Sequence, residues 1–284
     1  MSSWPRFSLA PDAAETREFI PFMRELTEIA ARVIRRYFLT GTEVIAKADA
    51  SPVTEADRGA EEEMRRVIET RYPDHAILGE EFGARDGRAY RWVLDPVDGT
   101  RAFISNCFLF GTLIALERAT AQGFRPLLGA IAHPAANVAV IGGGDLCTLY
   151  APDGSSRPAR VRSCARLEDA TVLATSHWSS NEQGGAAALE RLAQRAKLYR
   201  TWGDCFGYFA LATGGADLML DPVLAYWDVA AIVPVVEAAG GRITAWSGGD
   251  PLAQPSAVAS AGPLHDKALA LLHAGSASAP DRCA

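Results

Sequence analysis

Two acids three residues apart, Asp95 and Asp98, close the run Trp92-Val93-Leu94-Asp95-Pro96-Val97-Asp98-Gly99-Thr100-Arg101. The three leading apolar residues read as a buried strand, and Pro96 and Gly99 as the punctuation of a turn. Such a turn aims both carboxylates at one point, where two anions repel unless a cation lies between them. Three more acids stand at or just past an apolar stretch: Glu80 after Ile77-Leu78-Gly79, Asp221 after Leu218-Met219-Leu220, and Asp228 after Trp227. None of the five histidines joins these acids in a ligand-like spacing. Oxygen donors alone suit Mg²⁺ rather than zinc. Two such ions about 3.5–4 Å apart clamp the attacking and leaving oxygens of phosphoryl transfer. The chemistry expected is Mg²⁺-assisted hydrolysis of a phosphate ester.

The elements that must position these acids follow from periodicity. Phe19, Phe22, Met23, Leu26, Ile29, Ala30, Val33 and Tyr37 recur at helical steps, so a helix is expected from Ala13 to Leu39, stopped by Gly41. Ser51-Pro52 reads as a turn. Thr54 then resembles an N-cap, with Asp57 in the first turn of a helix from Glu55 to Tyr72. On local sequence alone Asp57 is a charge favourable at a helix N-terminus. A strand from His75 to Leu78 leads into Gly79-Glu80-Glu81, and a polar loop from Phe82 to Arg91 precedes the central strand. Strands are expected over 108–117, 126–132, 137–142 and 148–150. Gly142-Gly143-Gly144 reads as a turn and not a phosphate cradle, since no G-x-G-x-x-G spacing and no helix follow.

Pro152 to Ser156 marks a passage between two halves. Beyond it strands (171–175, 197–200, 217–220, 243–244, 257–260) alternate with helices (185–195, 206–213, 227–239, 267–273). The expected organisation is an N-terminal α+β half over residues 1–165 carrying most metal ligands. A C-terminal α/β half over 166–274 carries Asp228 and the substrate contacts, and residues 275–284 form a disordered tail.

Composition narrows the class. The chain has 284 residues, enough for a sizeable core, with 49% hydrophobic and 22% charged residues. A net charge of -6 without a basic stripe argues against nucleic acid as a partner. A small phosphorylated substrate remains compatible, because bound metal ions reverse the local sign of the field. No apolar run is long enough to span a membrane, and the N-terminus carries no secretory signal pattern. Five cysteines without a C-x-x-C pair read as reduced thiols, which places the protein in the cytoplasm.

Gly79-Glu80-Glu81, Trp92 to Thr100 and Trp227-Asp228-Val229-Ala230-Ala231, preceded by Pro52 to Asp57, resemble the motifs of the inositol monophosphatase superfamily in order and rough spacing. The resemblance covers nearly the whole chain. It implies a five-layered αβαβα sandwich of the inositol monophosphatase and fructose-1,6-bisphosphatase type. It also implies hydrolysis of a phosphate monoester by direct attack of activated water, and a homodimer. Glu80, Asp95 and the Val97 carbonyl are similar to the ligands of a first Mg²⁺, and Asp95, Asp98 and Asp228 to those of a second; Glu80 also borders a third, weaker ion. Thr100 coupled to Asp57 resembles the pair that orients and deprotonates the water. Amides around Gly99 and Thr100 hold the phosphate.

Arg101, together with the runs Leu109 to Leu116, His133-Pro134, Ser176 to Trp178 and Arg200 to Cys205, is most similar to the histidinol-phosphatase branch. That likeness implies substrate contacts from Arg101 and Arg200. Asp221 matches a substrate-facing position of the wider family, where an acid meets the amine of histidinol phosphate or the hydroxyls of a polyol. The segment Ser105 to Phe108 departs from the Gly- and Pro-containing turn of many relatives. The rival substrates are inositol-1-phosphate and other small monoesters, with 3′-phosphorylated nucleotides less favoured. A non-catalytic Mg²⁺-binding scaffold is the alternative from another class, and the intact set Glu80, Asp95, Asp98, Thr100 and Asp228 argues against it.

Overall fold

The computed structural model describes residues 4–41, 44–46, 52–176 and 186–274. Helix α1 (Ala13–Ile34) starts at a capping box: the Asp12 carboxylate accepts from the Ala14 and Glu15 amides, and Glu15 accepts from the Asp12 amide at 2.8 Å. It ends five residues short of the expected Leu39, because residues 35–40 form turns and Leu39 adopts a left-handed φ of 66°. Two three-residue strands, β1 (Val44–Ala46) and β2 (Pro52–Thr54), then pair antiparallel. Thr54 caps α2 (Glu55–Arg71).

The first half continues as β3 (Ala76–Gly79), β4 (Gly83–Arg85), β5 (Tyr90–Asp98), the short α3 (Thr100–Ile104), β6 (Gly111–Thr120), β7 (Gly123–His133), β8 (Val138–Gly143), β9 (Leu146–Tyr150) and β10 (Ser156–Pro158). These eight strands make one sheet in the order β10-β9-β8-β7-β6-β5-β3-β4. All neighbours are antiparallel except β3 and β5. The second half comprises β11 (Thr171–Ala174), α4 (Ala186–Arg195), β12 (Leu198–Arg200), α5 (Asp204–Ala212), β13 (Leu218–Asp221), α6 (Tyr226–Ala238), β14 (Arg242–Thr244), β15 (Ala257–Ser260) and α7 (His265–His273). Its sheet runs β12-β11-β13-β15-β14, with β11 parallel to both neighbours.

The layers follow from which faces are apolar. Along β5, Trp92 and Leu94 pack toward α1 and α2, whereas Val93 packs into the core between the sheets, the alternation a pleated strand imposes. Phe22, Trp92 and Ile114 belong to the outer core under α1 and α2. Between the sheets lie α5 and α6, and their core draws Ile131 from the large sheet and Met219 from the small one. Helix α6 is apolar all round because both its faces are covered. On the outer face of the small sheet, Leu189 of α4 and Leu264 and Leu272 around α7 meet Val172 and Leu218. The result is the five-layered αβαβα sandwich.

Several local expectations are corrected. The loop expected over 82–91 contains β4 and the first residues of β5, and the strand ending at Leu94 continues to Asp98. The expected tail 275–284, Ser51 of the expected turn, and His177 and Trp178 of the run 176–178 lie outside the described residues. No helix among the described residues is long and apolar enough to cross a membrane.

Candidate metal and phosphate site

In a regular strand, residues three apart point to opposite faces. Asp95 and Asp98 escape this because β5 is bulged between them. Asp95 pairs with Leu113 and Asp98 with Gly111, so three steps on β5 oppose two on β6. The extra residue returns both carboxylates to one side. The Thr112 hydroxyl, buried in β6, donates to the Pro96 carbonyl at 2.7 Å and ties the bulge down. Gly99 then turns the chain with φ 76°, a left-handed conformation that favours glycine, and a Cβ there would also press on Asp204 Oδ2 at 2.9 Å.

The other acids arrive from separate elements. Asp228 stands in the first turn of α6, where its Oδ2 accepts from the Ala225 amide at 2.8 Å. The start of that helix is fastened to the large sheet: Tyr226 donates its hydroxyl to Glu117, which is fully buried and also paired with Arg91. Glu80 follows β3, and its amide donates to the Leu94 carbonyl at 3.1 Å, beside Asp95. Ligand atoms of Asp95, Asp98 and Asp228 all lie within 4.8 Å of one another. Burial, followed by the charges of Glu80, Asp98 and Asp228, holds the Asp95 carboxyl well above the usual carboxylate range. Burial and the facing acids likewise push Asp98 and Asp228 up to about 7.

Around this cluster the remaining sequence candidates take varied places. The Val97 carbonyl accepts from the Thr100 hydroxyl at 3.0 Å. Asp57 is buried, and its Oδ2 accepts from the Thr54 amide and hydroxyl, the capping arrangement of α2. Burial pushes its carboxyl up to about 6 against those hydrogen bonds. The recorded partners of Thr100 and Asp57 are thus Val97 and Thr54, not each other. Arg101 is exposed in α3, and its charge offsets only part of the rise that burial gives the Asp204 carboxyl. Arg200 is exposed at the end of β12, where Nη1 donates to the Tyr199 carbonyl at 2.7 Å, and it does not line the cavity described next.

A cavity of about 120 Å³ opens beside Asp98 and Asp228 toward the second half, walled by Thr175, Asp204, Asp221 and Val223 among others. Asp221 is 2% exposed and accepts from the Tyr208 hydroxyl at 2.8 Å. Burial pushes its carboxyl up to about 7, against hydrogen bonds from Thr175 and Tyr208. Asp204 holds a left-handed φ of 49°, and its amide donates to Thr175 Oγ1 at 2.9 Å. Burial and the Asp98 charge raise its carboxyl to about 7 as well. The next amide, Cys205, donates to Asp98 Oδ2 at 2.5 Å. Asp204, Thr175, Tyr208 and the Cys205 amide were not among the sequence candidates. One signal for Asp204 was present: an acid straight after a glycine, between a short strand and an apolar helix, occupies the first turn of that helix.

Comparison with known proteins agrees with this geometry. Residues 15–277 match the model of the inositol monophosphatase family. The chain belongs to this family. It is 37% identical over 222 residues to a histidinol-phosphatase of Chlorobaculum parvum, covering 76% of this chain and 82% of the relative. It is 40% identical over 239 residues to a chloroplastic bifunctional phosphatase of Arabidopsis thaliana, covering 82% of this chain and 66% of that one. The structure superposes on an inositol monophosphatase from Zymomonas mobilis with a TM-score of 0.79 and 34% identity, over 93% of this chain and 100% of the other.

As in an inositol monophosphatase family member, the acids form a cluster fit to hold a metal. Asp95 Oδ1 is buried and, among the described residues, has no hydrogen-bond partner. An orphaned buried carboxylate oxygen costs free energy unless a cation or donor meets it. The donor set is oxygen throughout, and its members repel one another without a cation. The chain is thus a phosphatase of this family with a candidate metal centre shared between its two halves.

Proposed function

We propose that the protein is a Mg²⁺-dependent histidinol-phosphatase, converting L-histidinol phosphate and water to L-histidinol and phosphate in histidine biosynthesis. The observation that carries the choice of substrate is the pair Asp204 and Asp221. A buried acid, Asp221, and a half-buried one, Asp204, line the cavity beyond the metal-ligand cluster, and two hydrogen-bond donors hold Asp221 in place. A cationic amine neutralises such a wall, whereas the hydroxyls of a neutral polyol leave its charge in place. The histidinol-phosphatases among the relatives support the same reading.

Glu80, Asp95, Asp98, Asp228 and the Val97 carbonyl would hold two Mg²⁺ ions, with a third, weaker one bordering Glu80. Bound there, Mg²⁺ supplies charge neutralisation and Lewis acidity toward a phosphoryl oxygen. The chain's own groups divide the remaining work. Amides at Gly99 and Thr100 bind phosphate oxygens, and Arg101, whose charge acts on Asp204, contacts the substrate beyond the phosphate. Thr100 and Glu80 orient the attacking water. Asp57, whose carboxyl is raised to about 6, accepts its proton by way of Thr100 once the Thr100 hydroxyl turns from the Val97 carbonyl. Asp221, Asp204 and Asp98 hold the organic end of the substrate, with Arg200 as an outer contact. No covalent phosphoenzyme is required.

The same reading makes the protein a cytoplasmic homodimer. The four cysteines among the described residues are all free thiols, which accords with a reducing compartment. A phosphate-release screen with Mg²⁺ tests the substrate, across histidinol phosphate, inositol-1-phosphate, 3′-phosphoadenosine phosphate and fructose-1,6-bisphosphate. Histidinol phosphate is expected to give the highest kcat/KM. A higher value for inositol-1-phosphate, the reading favoured by the Zymomonas mobilis neighbour, would overturn the assignment.

A further inference from the structure

Glu61 lies on α2 and is fully buried, at 0% exposure. Its Oε2 accepts from the Glu81 amide at 2.8 Å, and its Oε1 from the Phe82 amide at 3.2 Å and from Arg65 Nε at 2.7 Å. Arg65 also donates to the Gly83 carbonyl. The carboxylate and its counter-ion thus grip the turn between β3 and β4 at three consecutive residues, Glu81, Phe82 and Gly83. That turn carries Glu80.

The grip is close enough to dictate a residue. A Cβ on Gly79 would lie 1.9 Å from Glu61 Oε1 and 2.3 Å from its Cδ, so the carboxylate lies directly over the glycine. On the other side, the Glu80 amide is held by the Leu94 carbonyl of β5. The backbone of Glu80 is therefore fixed from both flanks, by Glu61 beneath the turn and by the strand that presents Asp95. An ion pair serving stability alone needs neither the two turn amides nor a glycine beneath it. Two charge-assisted amide donors reach Glu61 from the segment that must present Glu80 at one angle, and Arg65 of its own helix adds a third.

We infer that Glu61 is a positioning residue: it sets the 80–82 turn so that the Glu80 carboxylate reaches the metal cluster. The inference rests on the reading of Glu80 as a metal ligand. Replacing Glu61 leaves every ligand in the chain but loosens the angle of one. The expected consequence is weaker Mg²⁺ binding, not loss of the chemistry.

The test compares Glu61→Gln, Arg65→Gln and Glu80→Gln with the unaltered protein. Mg²⁺ is titrated in two ways, by half-activation of phosphate release and by the Mg²⁺-induced rise in melting temperature. Glu61→Gln is expected to raise both Mg²⁺ midpoints about tenfold, the ordinary effect of losing an outer-shell partner, with kcat at saturating Mg²⁺ nearly retained. Arg65→Gln keeps the two amide bonds and should lower melting temperature while moving the Mg²⁺ midpoints little. If Glu61→Gln does not fold, Glu61→Asp, which keeps the charge and withdraws it by one methylene, should show the same shift. A Glu61 variant with a lowered melting temperature and unchanged Mg²⁺ midpoints overturns the inference, provided Glu80→Gln shifts them. Unchanged midpoints in Glu80→Gln overturn the ligand reading itself.

Discussion

Asp221→Asn separates the cost of a buried acid from its use. Asp221 sits at the end of β13, 2% exposed, with Tyr208 and Thr175 as hydrogen-bond partners, and its carboxyl is raised from 3.8 to about 7 chiefly by burial. The folded pKa lies above the unfolded one, so the folded chain binds the extra proton between about pH 4 and 7. Stability from this group is complete at low pH and is lost as the pH rises through that window. With about 1.4 kcal/mol per unit, the ionised carboxyl costs roughly 1.5 kcal/mol at pH 5 and roughly 4 kcal/mol at pH 8. Asparagine keeps one acceptor for Tyr208 but turns an amide toward Thr175, a loss of about 1 kcal/mol. The variant should thus match the parent near pH 5 and exceed it by about 3 kcal/mol at pH 8. Urea unfolding of the metal-free protein at the two pH values measures this directly. A difference that stays constant with pH, or a variant weaker at pH 8, refutes the burial argument. The companion measurement is the KM for histidinol phosphate, which should rise while that for a generic aryl phosphate holds, the expected exchange of stability for function.

Three other outcomes follow from the site and the core. Asp95→Asn removes the acid that faces Glu80, Asp98 and Asp228 at once; Mg²⁺-dependent phosphate release should fall below detection, and the Mg²⁺-induced rise in melting temperature should vanish while the circular dichroism spectrum is kept. Arg101→Ala should raise the KM for histidinol phosphate more than that for an aryl phosphate, and an equal effect would reduce Arg101 to a general phosphate contact. His265 is buried with Nε2 beside Thr244 and Nδ1 beside Ser260, and its pKa is lowered to about 3, first by burial. The Thr244 hydroxyl already donates to the Ala245 carbonyl, so Nε2 carries the proton and Nδ1 accepts from Ser260. Because this folded pKa lies below the unfolded 6.5, the unfolded chain binds more protons beneath that value. Stability is lost as pH falls, by about 2 kcal/mol at pH 5, and His265→Gln should flatten that part of the profile in urea titrations at pH 7 and 5.

Much of the fold was legible because long elements carry a strong period. The α1 stripe and the β5–β9 strands were readable, and α6 stood out as apolar throughout. The three-residue strands β1, β2, β4 and β10 are too short to repeat an alternation, and the last three are weakly apolar, so they left no such trace. The equally short β12 and β14 were read from their apolar and β-branched residues. The bulge in β5 was read as a turn, although Pro96 carried the needed signal: within sheets, proline is at home in bulges. Asp228 and Asp95 were found because each ends or begins an apolar stretch. Asp204 was missed since nothing local says that the start of α5 meets Gly99, over a hundred residues earlier in the chain. For Asp57 the local reading, a charge capping α2 with Thr54, is what the hydrogen bonds record. Its pairing with Thr100 came from the resemblance and stays a proposal.

What the sequence hides most completely is the difference between two kinds of buried acid. Glu61, Glu117, Asp217 and Glu237 are as deeply buried as the metal-site residues. Each is met by donors. Glu61 has Arg65 and two amides, Glu117 has Arg91 and Tyr226, Asp217 has Arg162 and the Thr171 amide, and Glu237 has the amides of Phe7 and Ser8. Those four acids fasten segments together, and their charges are answered within the chain. Asp95, by contrast, keeps a buried oxygen without a hydrogen-bond partner and is raised by three neighbouring acids. A chain that satisfies its structural acids so fully does not leave one oxygen bare by poor packing. The frame of answered acids holds the unanswered ones against their own repulsion, which is the condition a cation site must meet before the cation arrives.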